Sequence, residues 1–148
     1  MAHEFKRRRR VEFAETDMAG ILHFSNYFRF MEETEHEFFR SLGLRVHQQS
    51  DEGFQGWARA HAECTYRRPL RNDDVVELRL FVREKRSKSI KYEVLFFLEE
   101  GDPAVATEVA RGTMTAVCVQ KADGGLRAVA MPADVAAAVE VAPDTASC

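Results

Sequence analysis

Asp17-Met18-Ala19-Gly20-Ile21-Leu22-His23-Phe24-Ser25-Asn26-Tyr27 decides how the rest of this 148-residue chain is read. A carboxylate stands three residues before a glycine. Two branched apolar residues, a histidine and an aromatic follow, and then a long amphipathic segment begins. The pattern predicts a turn that delivers Asp17 just ahead of a helix N-terminus. There the unpaired backbone N–H groups and the positive end of the helix dipole favour negative charge. A nucleophile or base beside an anion-stabilising helix end is the minimum equipment for attack on an acyl carbonyl. The plain alternative is that Thr16-Asp17 only caps a turn through a local side-chain hydrogen bond.

Downstream, the spacing predicts a helix from about Ser25 to Leu42, with Ser25 as N-cap and Gly43 as a left-handed stop. Phe24, Tyr27, Phe28, Phe30, Met31, Phe38, Phe39 and Leu42 fall on one broad side, and Glu33, His36, Glu37 and Arg40 on the other. So wide and aromatic a side suits a helix wrapped by a curved sheet. Glu35 is out of pattern, because it points to the apolar side between Met31 and Phe38. A buried carboxylate must find a partner or shift its pKa. An ion pair at a subunit interface is the favoured role for Glu35, and a second catalytic carboxylate is the alternative.

The flanking segments read as strands. Phe5 to Ala14 forms one, carrying the basic run Lys6-Arg7-Arg8-Arg9-Arg10. Basic residues on both faces of an edge strand explain that run better than nucleic acid does, since the remaining chain is acidic. Coenzyme phosphates or an acidic patch on a neighbouring subunit are further partners for it. Arg45 to Gly56 reads as a loop. From Trp57 on, Ala58, Ala60, Ala62, Cys64 and Tyr66 alternate with Arg59, His61, Glu63 and Thr65, which puts His61 on one face with Arg59 and Glu63. Val76–Val82 and Ile90–Leu98 alternate likewise, and Ala104 to Gln120 is a long strand interrupted by Gly112. Arg86-Ser87-Lys88 and Gly101-Asp102-Pro103 supply turns. Residues 133–148 hold a short terminal helix and a loose tail. The order predicts an α+β class, with an antiparallel sheet wrapped around one long central helix in a single domain over residues 1–148.

The formal net charge of −3 gives no global attraction to nucleic acid or acidic membranes. No apolar run approaches the roughly 18 residues of a membrane span, and the N-terminus lacks the apolar stretch of a signal peptide. Cys64, Cys118 and Cys148 are an odd count without metal-ligand spacing, and the first two sit in strand patterns as small core residues. A reducing cytoplasm is the expected compartment. No spacing supports a metal site built from His23, His61 and Asp17. No Walker loop or dinucleotide glycine pattern is present, and no cofactor is expected.

The opening stretch resembles the signature of the hotdog-fold acyl-CoA thioesterases of the 4-hydroxybenzoyl-CoA thioesterase type: Asp17, Gly20, Ile21, Leu22, Asn26 and Tyr27 fit it. The likeness continues through Glu32-Glu33, Phe38 to Leu44, His61-Ala62-Glu63, Tyr66, Pro69-Leu70, Asp73-Asp74 and Arg86-Ser87-Lys88-Ser89. It covers roughly Phe5 to Pro132. What the resemblance implies is a hotdog fold and hydrolysis of an acyl-CoA to free acid and coenzyme A. Asp17 is then nucleophile or general base. Gly20 leaves room for the thioester, and the backbone N–H near His23-Phe24 holds the oxyanion. Asn26, Tyr27, His61, Ala62, Arg86, Ser87 and Lys88 are the substrate-binding candidates, the last three for the coenzyme phosphates. One branch of the family has an aromatic where His23 stands, His at the next position, and Tyr four residues before the Asp, where this chain has Phe13. A His/Tyr-assisted scheme therefore does not carry over intact. The resemblance further implies a homodimer or homotetramer with sites between subunits. Carrier-protein-bound acyl chains, or a non-catalytic acyl-CoA-binding role, are the rival functions.

Overall fold

The computed structural model describes residues 2–50, 53–102 and 104–144. Pro103 of the expected turn and residues 145–148 of the expected tail, Cys148 included, lie outside them. The chain runs β1 (Glu4–Arg10), a single 3-10 turn (Phe13–Glu15), α1 (Phe24–Ser41), β2 (Gln48–Ser50), β3 (Gly53–Tyr66), β4 (Val75–Lys85), β5 (Ser89–Glu99), β6 (Ala106–Ala122), β7 (Gly125–Ala128) and α2 (Ala133–Ala138). All pairings between strands are antiparallel, in the order β1-β4-β5-β6-β3-β2, with β7 added on β6. Among the described residues no helix is long and apolar enough to cross a membrane.

One side of α1 builds the core. Tyr27, Phe30, Met31, Phe38 and Phe39 are buried with Leu78, Leu80, Tyr92, Val94 and Phe96 of β4 and β5 in a single apolar cluster. Phe24 departs from the expected pattern: it is 62% exposed at the open end of the helix. The helix stops where the sequence puts glycine. Gly43 has φ 74°; its N–H donates to Arg40 O at 3.0 Å and the Leu44 N–H to Phe39 O at 2.9 Å. These two bonds satisfy terminal carbonyls that would otherwise be left without partners, and the positive φ suits a residue without Cβ. Gly112 does not interrupt β6. It lies where the helix comes closest, and a Cβ there would collide with the Met31 sulfur and approach Glu63 O to 3.1 Å.

The first strand is shorter than expected. It ends at Arg10, because Val11 turns its hydrogen bonds to Asp73 and Asp74 before β4, and Glu12 and Glu15 close a capping box around the 3-10 turn. Phe13 is left 78% exposed. The basic run is an edge strand as read, and its acidic partners belong to the same chain. Arg7 meets Glu33 at 3.3 Å and Glu37 at 3.4 Å, Arg9 meets Glu15 at 2.6 Å, and Arg8 meets Glu99 at 2.6 Å. Part of the expected loop at 45–56 is β2 and the start of β3, a short hairpin pairing Gln48–Ser50 with Gly53–Gln55. The small β7 was also not apparent in the sequence.

A β-bulge overturns one reading of β3. Arg59 stands opposite Ala116 and His61 opposite Thr115, so Ala60 is an extra residue. One unpaired residue breaks the two-residue alternation and sends the residues on either side of it to opposite faces. Arg59 therefore faces the helix, whereas His61 and Glu63 face away. Arg59 makes a bidentate pair with Glu35, at 2.5 Å and 3.1 Å. Glu35 is 1% exposed. Burial raises its pKa, and the Arg59 guanidinium opposes that rise. The cation that the sequence put across a subunit interface is thus on the chain's own third strand.

Glu35→Gln leaves the Arg59 guanidinium with one amide oxygen in place of a carboxylate. Breaking a buried pair from one side costs about 3–5 kcal/mol. Urea unfolding should show a loss of that order, with kcat per folded chain unchanged. An unaltered midpoint with a displaced pH–rate profile would instead give Glu35 a part in the chemistry.

Candidate active site

Asp17 sits in a closed turn. Its N–H donates to Ile21 O and its carbonyl accepts from the Gly20 N–H, both at 2.9 Å. Gly20 has φ 79°, a left-handed value that explains the glycine. Asp17 Oδ1 accepts the Ala19 N–H at 2.8 Å. The turn-capping reading is therefore correct for one oxygen, while Oδ2 has no hydrogen-bond partner among the described residues. The loop is strapped down on both sides. Leu22 N–H donates to Leu70 O at 2.7 Å, and Thr16–Leu22 and Ile21–Arg71 form isolated bridges. Glu15 O accepts from the His23 N–H at 3.0 Å and from Asn26 Nδ2 at 2.8 Å. Asn26, expected to touch substrate, thus ties the first helical turn to the loop that carries Asp17.

The helix begins one residue earlier than the sequence suggested, and His23 rather than Ser25 is its N-cap. His23 Nδ1 accepts the Ser25 N–H at 3.3 Å and lies 2.7 Å from Ser25 Oγ. Its ring stacks on Phe24 at 4.5 Å between centroids. Of the first N–H groups, His23 serves Glu15 O, Ser25 serves His23 Nδ1, and Asn26 serves His23 O at 2.9 Å. The Phe24 N–H has no acceptor among the described residues. An unpaired N–H at a helix start is a donor ready for a developing oxyanion.

Two grooves meet at Asp17, which is the one residue that lines both. The first, of about 440 Å³, is formed with Ile21, Phe24, Tyr27, Tyr66 and Pro69, and with Arg67 and Arg68 beside them. The second, of about 800 Å³, runs past Phe13, Met18, Gly20, His23 and Asn26. In the first groove Tyr27 and Tyr66 meet edge to face at 4.7 Å, and Tyr66 Oη donates to Phe24 O at 3.0 Å. Burial pushes the Tyr27 phenol up to about 12 and the nearby Cys64 thiol up to about 11, so both are neutral at physiological pH. Among the described residues Asp17 is the only carboxylate facing this groove. Glu15, in the second, is locked to Arg9 through both oxygens at 2.6 Å.

Other expected site residues stand elsewhere. His61 is on the sheet face away from α1, 3.3 Å from Glu63 Oε2, and neither it nor Ala62 lines a groove with Asp17. Arg86, Ser87 and Lys88 form the β4–β5 hairpin, closed by the Arg86 N–H to Ser89 O at 2.8 Å. Asp17 lies near the other end of those strands, through the Ile21–Arg71 bridge just before β4. The 11 residues of β5 separate the two places by roughly 33 Å. Within one chain the hairpin and Asp17 do not share a site. Sequence reading gave Arg67 and Arg68 no part, although an Arg-Arg-Pro run directly ending a strand puts two cations at a sheet end. They pair with Glu108 at 3.2 Å and Glu100 at 3.0 Å. Among the described residues no group of three or more His, Cys, Asp or Glu is arranged to hold a metal ion.

Residues 11–139 match the family described as the thioesterase-like superfamily. A putative esterase of Aquifex aeolicus is 41% identical over 93 residues, covering 63% of this chain and 72% of the relative. The 4-hydroxybenzoyl-CoA thioesterase of a Pseudomonas species is 28% identical over 138 residues, covering 90% of this chain and 96% of its own length. The solved structure of a gentisyl-coenzyme A thioesterase superposes with a TM-score of 0.76 at 28% identity, over 90% of this chain and 98% of that one. The curled antiparallel sheet around one long helix is the hotdog fold of such enzymes.

His23→Ala removes the N-cap acceptor, and loss of a cap costs about 0.5–2 kcal/mol. Thermal unfolding should register that loss, and His23→Asn, which restores a cap oxygen, should recover most of it. Activity of both variants should stay within about tenfold of the unmodified protein, since a general acid or base contributes roughly 10²–10⁴-fold. A larger fall in kcat with stability intact would move His23 from cap to proton carrier.

Proposed function

The chain belongs to the thioesterase-like superfamily and is a thioester hydrolase; we propose that it cleaves an aryl- or alkyl-coenzyme A thioester to the free acid and coenzyme A, with Asp17 acting on the thioester carbon. The observation that carries this reading is the placing of Asp17 Oδ2 and the Phe24 N–H, neither with a hydrogen-bond partner among the described residues, on one groove with apolar walls. The acyl group enters that groove beside Ile21, Phe24 and Tyr27. The thioester oxygen turns to the Phe24 N–H, where the helix dipole supports the charge that develops as the carbon becomes tetrahedral. The Asp17 carboxylate either attacks the carbon, forming a mixed anhydride that water then opens, or takes a proton from the water that attacks. In both routes the C–S bond breaks and coenzyme A leaves as the thiol. Water activated by Asp17 gives its oxygen to the product, whereas water that opens the anhydride at the Asp17 carboxyl carbon gives its oxygen to Asp17 and leaves an original Asp17 oxygen in the product. A single turnover in heavy-oxygen water separates them, because only direct attack leaves label in Asp17.

The same reading includes a dimer. From Gly56 to Tyr66 the second side of β3 carries no strand among the described residues. An open edge of that length is a row of unpaired backbone donors and acceptors. A second copy laid antiparallel along it satisfies both rows by two-fold symmetry. His61 and Ala62 then lie at the seam. The Arg86-Ser87-Lys88 hairpin, too far from Asp17 in its own chain, serves the coenzyme phosphates of a neighbouring subunit.

Asp17→Asn keeps the shape of the side chain and removes its nucleophilic and basic character. Turnover of a panel of aryl- and alkyl-CoA thioesters, followed by release of free thiol, should fall by about 10²–10⁴-fold or more with unfolding unchanged. Activity within threefold of the unmodified protein would overturn the assignment.

Arg86→Ala combined with Lys88→Ala should raise KM for coenzyme A thioesters several-fold and leave kcat nearly unchanged. Phosphate contacts remote from the carbonyl bind ground and transition states alike. An unchanged KM with unchanged salt dependence would shift the phosphate contacts to Arg67 and Arg68.

A further inference from the structure

At the far end of α1, opposite to Asp17, lies a separate groove of about 600 Å³ that the proposed hydrolysis does not use. It is formed by His36 and Arg40 of the helix and by Leu44, Arg45, Val46 and His47 of the loop that follows. The helix has 18 residues, so roughly 27 Å separates this groove from the Asp17 turn in the same chain. We propose that the groove is a second binding site, which takes a small organic anion: a carboxylate or phosphate carried on an apolar body.

The lining has a one-sided charge. Arg40 and Arg45 line it, the imidazoles of His36 and His47 meet edge to face at 6.0 Å, and no carboxylate lines it among the described residues. Many arginines of the chain are tied to acids: Arg7, Arg8, Arg9, Arg59, Arg67, Arg68, Arg79, Arg83, Arg86 and Arg111 all have carboxylate partners. Arg40 and Arg45 have none among the described residues. Two guanidinium groups with free donors on one concave surface recognise carboxylate or phosphate oxygens in forked geometry.

The floor is apolar. Leu44 and Val46 are buried beneath the groove, and the His47 ring stacks on Phe54 at 5.6 Å. A bare ion would leave that floor wet, whereas an aromatic or aliphatic body covers it. A helix C-terminus ordinarily repels anions through its exposed carbonyls. Here Phe39 O and Arg40 O already accept the Leu44 and Gly43 N–H groups, which weakens the repulsion at the groove.

His36 reports on occupancy. Burial lowers its pKa, and His47, Arg59 and Arg40 add to that. Glu32, one turn earlier on α1, pulls the other way while also lying 3.6 Å from Arg59 of β3. An anion in the groove opposes the lowering, so the His36 midpoint moves to higher pH as the site fills.

Benzoate and inorganic phosphate, titrated separately into the intact protein, test the proposal. The readouts are calorimetry and the NMR signals of the His36 and His47 rings, with sodium chloride at matched ionic strength as control. The expected result is saturable binding with Kd on the order of 1 mM or tighter, benzoate ahead of phosphate, and an upward move of the His36 midpoint. Arg40→Gln combined with Arg45→Gln, both at exposed positions, should weaken binding at least about tenfold. Asp17→Asn should leave it unchanged, which separates this site from the proposed catalytic one whether or not that reading holds. A His36 response matched by chloride, or binding abolished by Asp17→Asn and untouched by the arginine changes, would overturn the proposal.

Discussion

Burial of one side of α1 in the curve of the sheet is the constraint from which the other features follow. Five large side chains, Tyr27, Phe30, Met31, Phe38 and Phe39, leave water together. At roughly 1.5–3 kcal/mol for each fully buried side chain, this single face outweighs any ion pair in the molecule. The contact fixes the helix on the sheet so closely that residue 112 is a glycine beneath the Met31 sulfur. With the middle of the helix held, its two ends are held as well. The N-terminus opens at the Asp17 turn and the C-terminus at the His36–His47 groove. The helix is thus a rigid spacer between two surfaces of different character: an apolar cleft with one carboxylate, and a basic cleft with none among the described residues.

The Asp17 end is assembled almost entirely from backbone bonds. Glu15 O holds the His23 N–H and the Asn26 amide, and Leu70 O holds the Leu22 N–H. The Asp17 turn closes on Gly20 and Ile21. Such a loop keeps its shape without help from a substrate, which is what preorganised stabilisation of a developing charge requires. Two tyrosines, rather than other acids, line the groove beside the carboxylate, and burial holds the Tyr27 phenol neutral, so among the described residues Asp17 has no like-charged neighbour there.

Much of this was legible in the sequence wherever a local period or a local turn determined the outcome. The helix, its glycine stop, the alternation in β4 and β5, and the turn carrying Asp17 all depend on residues within a few positions of one another. The misreadings arose where a distant contact decided. Ser25 looks like a better cap than His23, but the Glu15 carbonyl takes the His23 N–H and sets the start of the helix. Phe24 fits the apolar period of the helix yet lies beyond the end of the sheet that would cover it. Glu35 had a visible need for a cation, and nothing local could name Arg59. That answer required knowing that Ala60 is a bulge, which leaves no mark on an alternating run. For the same reason Arg59 was grouped with His61 and Glu63 on one face. The remoteness of Arg86–Lys88 from Asp17 is a property of strand length and direction that no motif records.

The extra residue at Ala60 gives β3 a parity. Upstream of it odd-numbered positions face the helix, as Arg59 does; downstream even-numbered positions do, as Ala62 and Cys64 do opposite Met114 and Gly112. A single insertion or deletion in this strand is therefore no neutral change of length, because it exchanges inside for outside over everything on one side of it. Descendants of a common ancestor could alter most side chains here one at a time, but losing that one residue would have to be matched by replacing the buried acid at 35 in the same step. Alignments of related chains should accordingly treat a gap near position 60 and an uncharged residue at position 35 as one correlated event.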